Sequence, residues 1–163
     1  MPSDPGSETR PEDPLFGYIE RFSSVLLTAG FPPMPARVFV ALMVAGAGRL
    51  SATELAEMLR VSPAAISGAV RYLVQVGIVH KERVPGSRRD YYGMPDNVWH
   101  ELLRMRDAIM RRWAEMAREG VGLLGAGTPA GKRLAEHAAF LEFASDELPA
   151  LMERWDKYRA EHG

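Results

Sequence analysis

Ser67 and Arg71 stand one helical turn apart in a stretch of small residues, and Lys81, Arg83, Ser87, Arg88 and Arg89 follow shortly after. Side chains of this kind hold anions. A guanidinium forks onto a phosphate or onto the acceptor edge of a guanine, and a hydroxyl adds a short-range donor. Ser62 followed by Pro63 is an N-cap followed by a first helical residue, and the free N–H groups and dipole of such a helix start also favour an anion. The outer face of the helix they open would be Ala64, Ser67, Gly68, Arg71 and Gln75. These residues are small enough for the helix to sink into the major groove of DNA, with Ser67 and Arg71 at base edges or phosphates. The later basic residues flank Pro85-Gly86, the centre of a type II turn. They form a projection suited to lie along the sugar-phosphate backbone or to put an arginine into the minor groove.

Other chemistries find no support. His80, His100, His137 and His162 lack metal-type spacing, and the chain has no cysteine. Glu101 with Asp107, and Asp146 with Glu147, read as solvated helix charges, and there is no Gly-rich phosphate loop or nucleophile motif. No enzyme activity, metal or cofactor is expected.

The 163 residues carry a formal charge of −1, which seems to argue against DNA until the charges are located. Residues 60–94 hold six basic and two acidic residues, whereas residues 1–20 hold one and five, and 129–163 five and seven. The basic excess therefore lies on the stretch that carries the anion-binding side chains. The longest apolar run, Val38 to Ala47, is shorter than the roughly 20 residues of a membrane span. The acidic start lacks the apolar core of a signal peptide. A cytoplasmic protein without membrane association is expected.

The elements that must position these residues are mainly helical. Residues 1–12, rich in Pro, Ser, Gly and acid, read as a disordered tail. Asp13-Pro14 opens a helix with Phe16, Ile19, Phe22, Leu26 and Leu27 at helical spacing, stopping at Gly30. Ala36 to Ala45 reads as a buried helix. Ser51 with Glu54 forms a capping box that opens Ala52 to Leu59. After a tight connection at Arg60-Val61, the spacing predicts the helix 63–76, with Gly77 as its stop. Ile78 to Val84 and Tyr91-Tyr92 read as the strands of a hairpin, its wing spanning 81–92. From Asn97, Val98, Leu102, Met105, Ile109, Trp113 and Met116 mark a long helix. Gly120 to Gly127 reads as a break, and a last helical region contains Pro149, predicting a kink or a restart capped by Ser145.

Two helices joined by so short a turn form a helix-turn-helix. Ala56 allows the close crossing, Val61 plugs the turn, and Ile66, Ala69, Val70 and Leu73 face inward. Arg60 stands where many such turns have glycine, predicting a slightly different turn. A solvated helix face, or a charged hairpin edge that discourages pairing, would each explain one piece. The two in this order point to DNA.

Leu50-Ser51-Ala52-Thr53-Glu54-Leu55-Ala56, Val61-Ser62-Pro63-Ala64-Ala65-Ile66-Ser67, and Leu73 to Val79 with the basic hairpin resemble winged helix-turn-helix regulators of the MarR family, closest to its GbsR-like branch. The resemblance covers roughly residues 15–160. It implies a mainly α fold in four parts: the tail 1–12, an N-terminal dimerisation helix 13–32, a winged DNA-binding domain 33–96 with a small β-hairpin, and C-terminal dimerisation helices 97–163. It implies a homodimeric repressor on a pseudo-palindromic double-stranded operator, often released by a small ligand. Ser62, Pro63, Ala64, Ser67, Gly68, Arg71, Lys81, Arg83, Ser87, Arg88 and Arg89 would meet DNA. Family wings commonly carry Asp-x-Arg, whereas this loop reads Gly86-Ser87-Arg88-Arg89-Asp90, which leaves open which arginine enters the minor groove. Phe16, Ile19, Met105, Ile109, Trp113, Leu141, Leu148, Leu151 and Trp155 would form the dimer interface. Phe22, Leu26, Met43 and Trp99 would line an effector pocket. The competing reading is a winged-helix module that makes only protein contacts; the basic second helix and wing favour DNA over it.

Overall fold

The computed structural model describes residues 13–163; the expected tail 1–12 lies outside them. Within these residues the helices are α1 (Pro14–Thr28), α2 (Pro33–Val44), α3 (Ala52–Leu59), α4 (Pro63–Gln75), α5 (Val98–Leu124) and α6 (Pro129–His162), and the strands are β1 (Arg49–Ser51), β2 (His80–Arg83) and β3 (Asp90–Gly93). The chain divides into two compact units, one ending at Asp96 and the other running from Asn97 to Gly163.

The helix starts of the first unit follow from local chemistry. The Asp13 carboxylate accepts from Leu15 N at 3.0 Å ahead of Pro14. At α3 both halves of the capping box form: Ser51 N donates to Glu54 Oε2 at 2.7 Å, and Glu54 N donates to Ser51 Oγ at 3.3 Å. Ser62 Oγ accepts from Ala65 N at 3.3 Å, with Pro63 at the first position of α4. The Glu54 carboxyl is held below its ordinary range, first by its hydrogen bonds with Ser51, against the opposing effect of burial, with the Arg89 charge helping.

α2 begins at Pro33, three residues before the expected start. A proline in the first turn gives up an N–H that has no helical partner there, so Pro33 and Pro35 are accommodated at the start of the helix. Its Val38, Val40, Ala36 and Ala41 are fully buried. Arg37 on α2 ties three helices together, pairing with Glu20 of α1 at 2.6 Å and donating to the Leu59 carbonyl at the end of α3 at 2.9 Å.

Strand β1 was not expected. It pairs antiparallel with β3, which also pairs with β2, in the order β1-β3-β2, with Leu50 opposite Tyr92 and Lys81 opposite Tyr92. Three residues are too few to show alternation, and the capping box claimed Ser51 for a helix start.

Arg60 adopts the left-handed conformation, φ 55°, that a glycine would take at this position, so the turn keeps its geometry without one. Its guanidinium stacks over the Phe16 ring, 4.3 Å from the centroid, a cation–π contact that offsets part of the strain.

In the second unit, two expectations change. Gly120 and Gly122 lie inside α5, which runs to Leu124, so the interruption is only Gly125 to Thr128. Gly120 leaves room for Leu134 of α6, whose Cδ1 would stand 2.7 Å from an added Cβ, so the glycine serves packing and not a break. α6 is not restarted at Ser145; it runs continuously through Pro149, and Ser145 is buried. Packing along α5 supports α6 across the missing hydrogen bond, with the bidentate pair Arg118 to Glu142, at 2.9 and 2.6 Å, about one turn before Ser145.

Candidate nucleic-acid interface

The two helices α3 and α4 bury Leu55, Ala56, Leu59, Ile66, Ala69, Val70 and Leu73 between them and α2. The opposite face of α4 is solvent: Pro63, Ala64, Ser67, Gly68, Arg71 and Gln75 are all exposed, as is Ser62 at its start. An added Cβ at Gly68 would meet nothing within 4 Å. This glycine is therefore not required by internal packing, and it keeps the outer face low.

The register of the sheet sets the wing. Ser87 N donates to the Val84 carbonyl at 3.0 Å and Gly86 has φ +84°, closing the expected turn over Pro85-Gly86. Ser87 Oγ accepts from Arg89 N at 3.1 Å, so this hydroxyl shapes the loop. Arg83, Arg88 and Arg89 are exposed on it. Among the described residues, no ion pair engages these three or Arg71. Lys81 differs, because its ammonium stands 2.8 Å from Asp90 across the strand pair. At the wing base, Glu82 accepts from His80 at 2.6 Å and from Arg49 of β1 at 3.2 Å. His80 is the leading cause that lowers the Glu82 pKa, with burial opposing and Arg49 assisting. Helix and wing meet in an open cleft of about 280 Å³ lined by Ser67, Val70, Arg71, Val74, Lys81 and Tyr92. Tyr92 was absent from the expected site. As a strand residue facing a helix it carries no sequence signal of its own.

A model of the MarR family matches residues 29–90, and a second, described as an MmpR5-like MarR family transcriptional regulator, matches residues 97–158. The chain belongs to the MarR family. Similar proteins agree with this assignment. The HTH-type transcriptional regulator MmpR5 of Mycobacterium tuberculosis is 25% identical over 151 residues, 92% of each chain. A transcriptional regulator of known crystal structure superposes with a TM-score of 0.76 at 25% identity, over 89% of this chain and 99% of that one. This MarR-family chain is accordingly a winged-helix transcriptional regulator and not an enzyme. Among its described residues no helix is long and apolar enough to cross a membrane.

The remaining expected residues fall in both units. Ile19 is fully buried by its own chain, so it belongs to the core and not to a surface open to a second copy; Leu141, at 6% exposure, is also core. Phe16 lies half-buried under Arg60. Ile109, Trp113 and Leu151 are exposed, whereas Met105, Leu148 and Trp155 are half-buried. Phe140 and Phe143, each 65% exposed on α6, extend this apolar surface beyond the expected residues. Phe22, Leu26 and Met43 belong to the first unit. Trp99 belongs to the second, where it lines an apolar hollow of about 380 Å³ with Leu151, Met152 and Trp155.

Proposed function

We propose that this MarR-family regulator is a homodimeric repressor of the cytoplasm that reads a pseudo-palindromic operator and is released by a small ligand. Each subunit would place α4 in a major groove, with half-sites about one helical turn, roughly 34 Å, apart. Ser67 and Arg71 would reach base edges, Gly68 and Ala64 would let the backbone approach, and Ser62 and Pro63 would bring the positive end of the α4 dipole to a phosphate. Arg83, Arg88 and Arg89 would follow the backbone or the minor groove, with Ser87 shaping the loop and Lys81 joining after exchanging Asp90 for a phosphate. The observation that carries the reading is the set of exposed arginines outside any ion pair on α4 and the wing, with Arg71 and Lys81 lining the cleft between helix and wing.

Dimerisation would follow the division 13–32, 33–96 and 97–163, through the exposed apolar residues Ile109, Trp113 and Leu151 with Phe140 and Phe143. Exposed apolar surface of this extent on one helix pair supports a covered face. The effector, lodged near Phe22, Leu26 and Met43 of the first unit or near Trp99 of the second, must bind the two conformations of the dimer unequally to release DNA. Within the family, the helix-turn-helix motifs support a GbsR-like placement, and the matched closing helices support an MmpR5-like one.

Fluorescence anisotropy on DNA from upstream of its own gene, with size-exclusion light scattering for the dimer, tests the reading. The expected result is a dimer that binds one upstream fragment far more tightly than a shuffled sequence. Equal affinity for both fragments, or a monomer, would overturn it.

A further inference from the structure

The helical hairpin α5–α6 contains a cavity of about 200 Å³ whose lining includes His100, Asp107, Ser145, Leu148, Pro149 and Met152. Buried polar atoms converge on this cavity: His100 Nδ1 has no hydrogen-bond partner, and Asp107 Oδ1 and the Ser145 hydroxyl beside it have none but each other. Ser145 is only 1% exposed. The other polar atoms of these side chains are engaged. His100 Nε2 stands 3.1 Å from Asp156 Oδ2, and Arg111 Nε donates to Asp107 Oδ2 at 3.0 Å. Pro149 has no N–H for the Ser145 carbonyl four residues earlier, so that acceptor also lacks its helical donor.

Unpaired buried polar atoms are costly and uncommon, and several at one cavity mark a site that another molecule completes. Their chemistry defines that molecule. With the Nε2 proton facing Asp156, His100 Nδ1 is an acceptor; Asp107 Oδ1 and the Ser145 carbonyl are acceptors, and only the Ser145 hydroxyl can answer either way. Two guanidinium groups also line the cavity, but Arg104 is held by Glu101 at 2.8 Å and Arg111 by Asp107 and Asp146. The atoms left to a ligand are mainly acceptors, so the molecule that completes them is a donor. We propose that this cavity binds a small primary ammonium compound with a compact apolar body, the head donating to Asp107 Oδ1, Ser145 Oγ and His100 Nδ1 and the body lying against Leu148 and Met152. Burial acts to raise the Asp107 pKa, but the Ser145 hydroxyl beside it and the Arg111 guanidinium lower it below the ordinary carboxylate range, so the charge that would meet the ammonium is present at neutral pH. The volume equals that of about seven waters, enough for an arylalkylamine. The site lies wholly within α5 and α6 and includes none of the four residues named above for the effector.

Isothermal titration calorimetry of the full chain with 2-phenylethylamine, and with 3-phenylpropionate as its anionic counterpart, tests the site. The amine is expected to bind once per chain, with the carboxylate at least about tenfold weaker, as loss of a charge-assisted hydrogen bond predicts. Asp107→Asn keeps the shape and should weaken the amine about tenfold, Ser145→Ala should weaken it by a smaller factor, and Arg112→Ala should leave it unchanged. Thermal melts identify any variant that fails to fold, in which case the other cavity variant carries the test. Absence of heat with the amine, as when waters or a second copy fill the cavity, would overturn the assignment. So would equal binding of the two probes, or binding indifferent to both cavity substitutions.

Discussion

The two units carry similar numbers of basic residues and use them differently. Residues 60–94 hold six and residues 95–128 hold five. On α4 and the wing, Arg71, Arg83, Arg88 and Arg89 have no carboxylate partner among the described residues. Along α5, Arg104 pairs with Glu101, Arg111 with Asp107 and Asp146, Arg112 with Glu115, and Arg118 with Glu142. A cation paired with a neighbouring carboxylate must give up that partner to meet a phosphate, and an exposed pair adds little stability. Pairing, more than the number of cations, separates an anion-binding surface from a solvated helix. The contrast predicts that substitutions of Arg71, Arg83, Arg88 or Arg89 change DNA affinity with little effect on stability, and that substitutions of the exposed, paired arginines on α5 change either one little.

Arg71→Ala tests this contrast with the largest expected effect. An arginine at a base edge contributes about 1–3 kcal/mol in each half-site. Its loss from both subunits should weaken operator binding by about 2–6 kcal/mol and change the preference among operator variants. Retained preference in a competition assay would show that Arg71 meets only phosphate. Gly131→Ala comes next and acts on stability alone. Its Cβ would run into the Gly125 carbonyl oxygen, and the forced shift of the α5–α6 connection should cost about 1–3 kcal/mol in denaturant melts. Ser51→Ala removes the α3 cap and should cost about 1 kcal/mol in the same measurement.

A smaller effect concerns pH. The folded Glu54 carboxyl has a lowered pKa, so its contribution is fully present above its ordinary value of 4.5 and is lost as pH falls through the folded value below that. The stability difference between the native chain and Glu54→Gln should therefore be larger at neutral pH than at pH about 3. A difference that is constant with pH would mean that the Ser51 hydrogen bonds do not depend on the charge.

The elements that position the proposed interface were legible because their signals are local. Ser51 with Glu54 and Ser62 with Pro63 mark the starts of α3 and α4, and Gly77, with φ +82°, marks the stop after α4. The inner and outer faces of α4 follow from the helical period alone. What escaped depends on contacts distant in sequence. β1 exists because β3 is there to pair with it, Gly120 is helical because Leu134 packs over it, and α6 passes Pro149 because α5 supports it. The same reason hid Arg37, whose hydrogen bond to the Leu59 carbonyl spans 22 positions, and the ion pair that occupies Lys81.

The salt dependence of operator affinity tests the central claim most directly. If Arg83, Arg88 and Arg89 each meet a phosphate in both subunits, log affinity should fall with log salt at a slope of about −5. Arg88→Ala removes two contacts per dimer and should reduce the slope to about −4, while Arg112→Ala, at a paired position on α5, should leave it unchanged. A near-flat native slope, or equal changes for the two variants, would contradict the account.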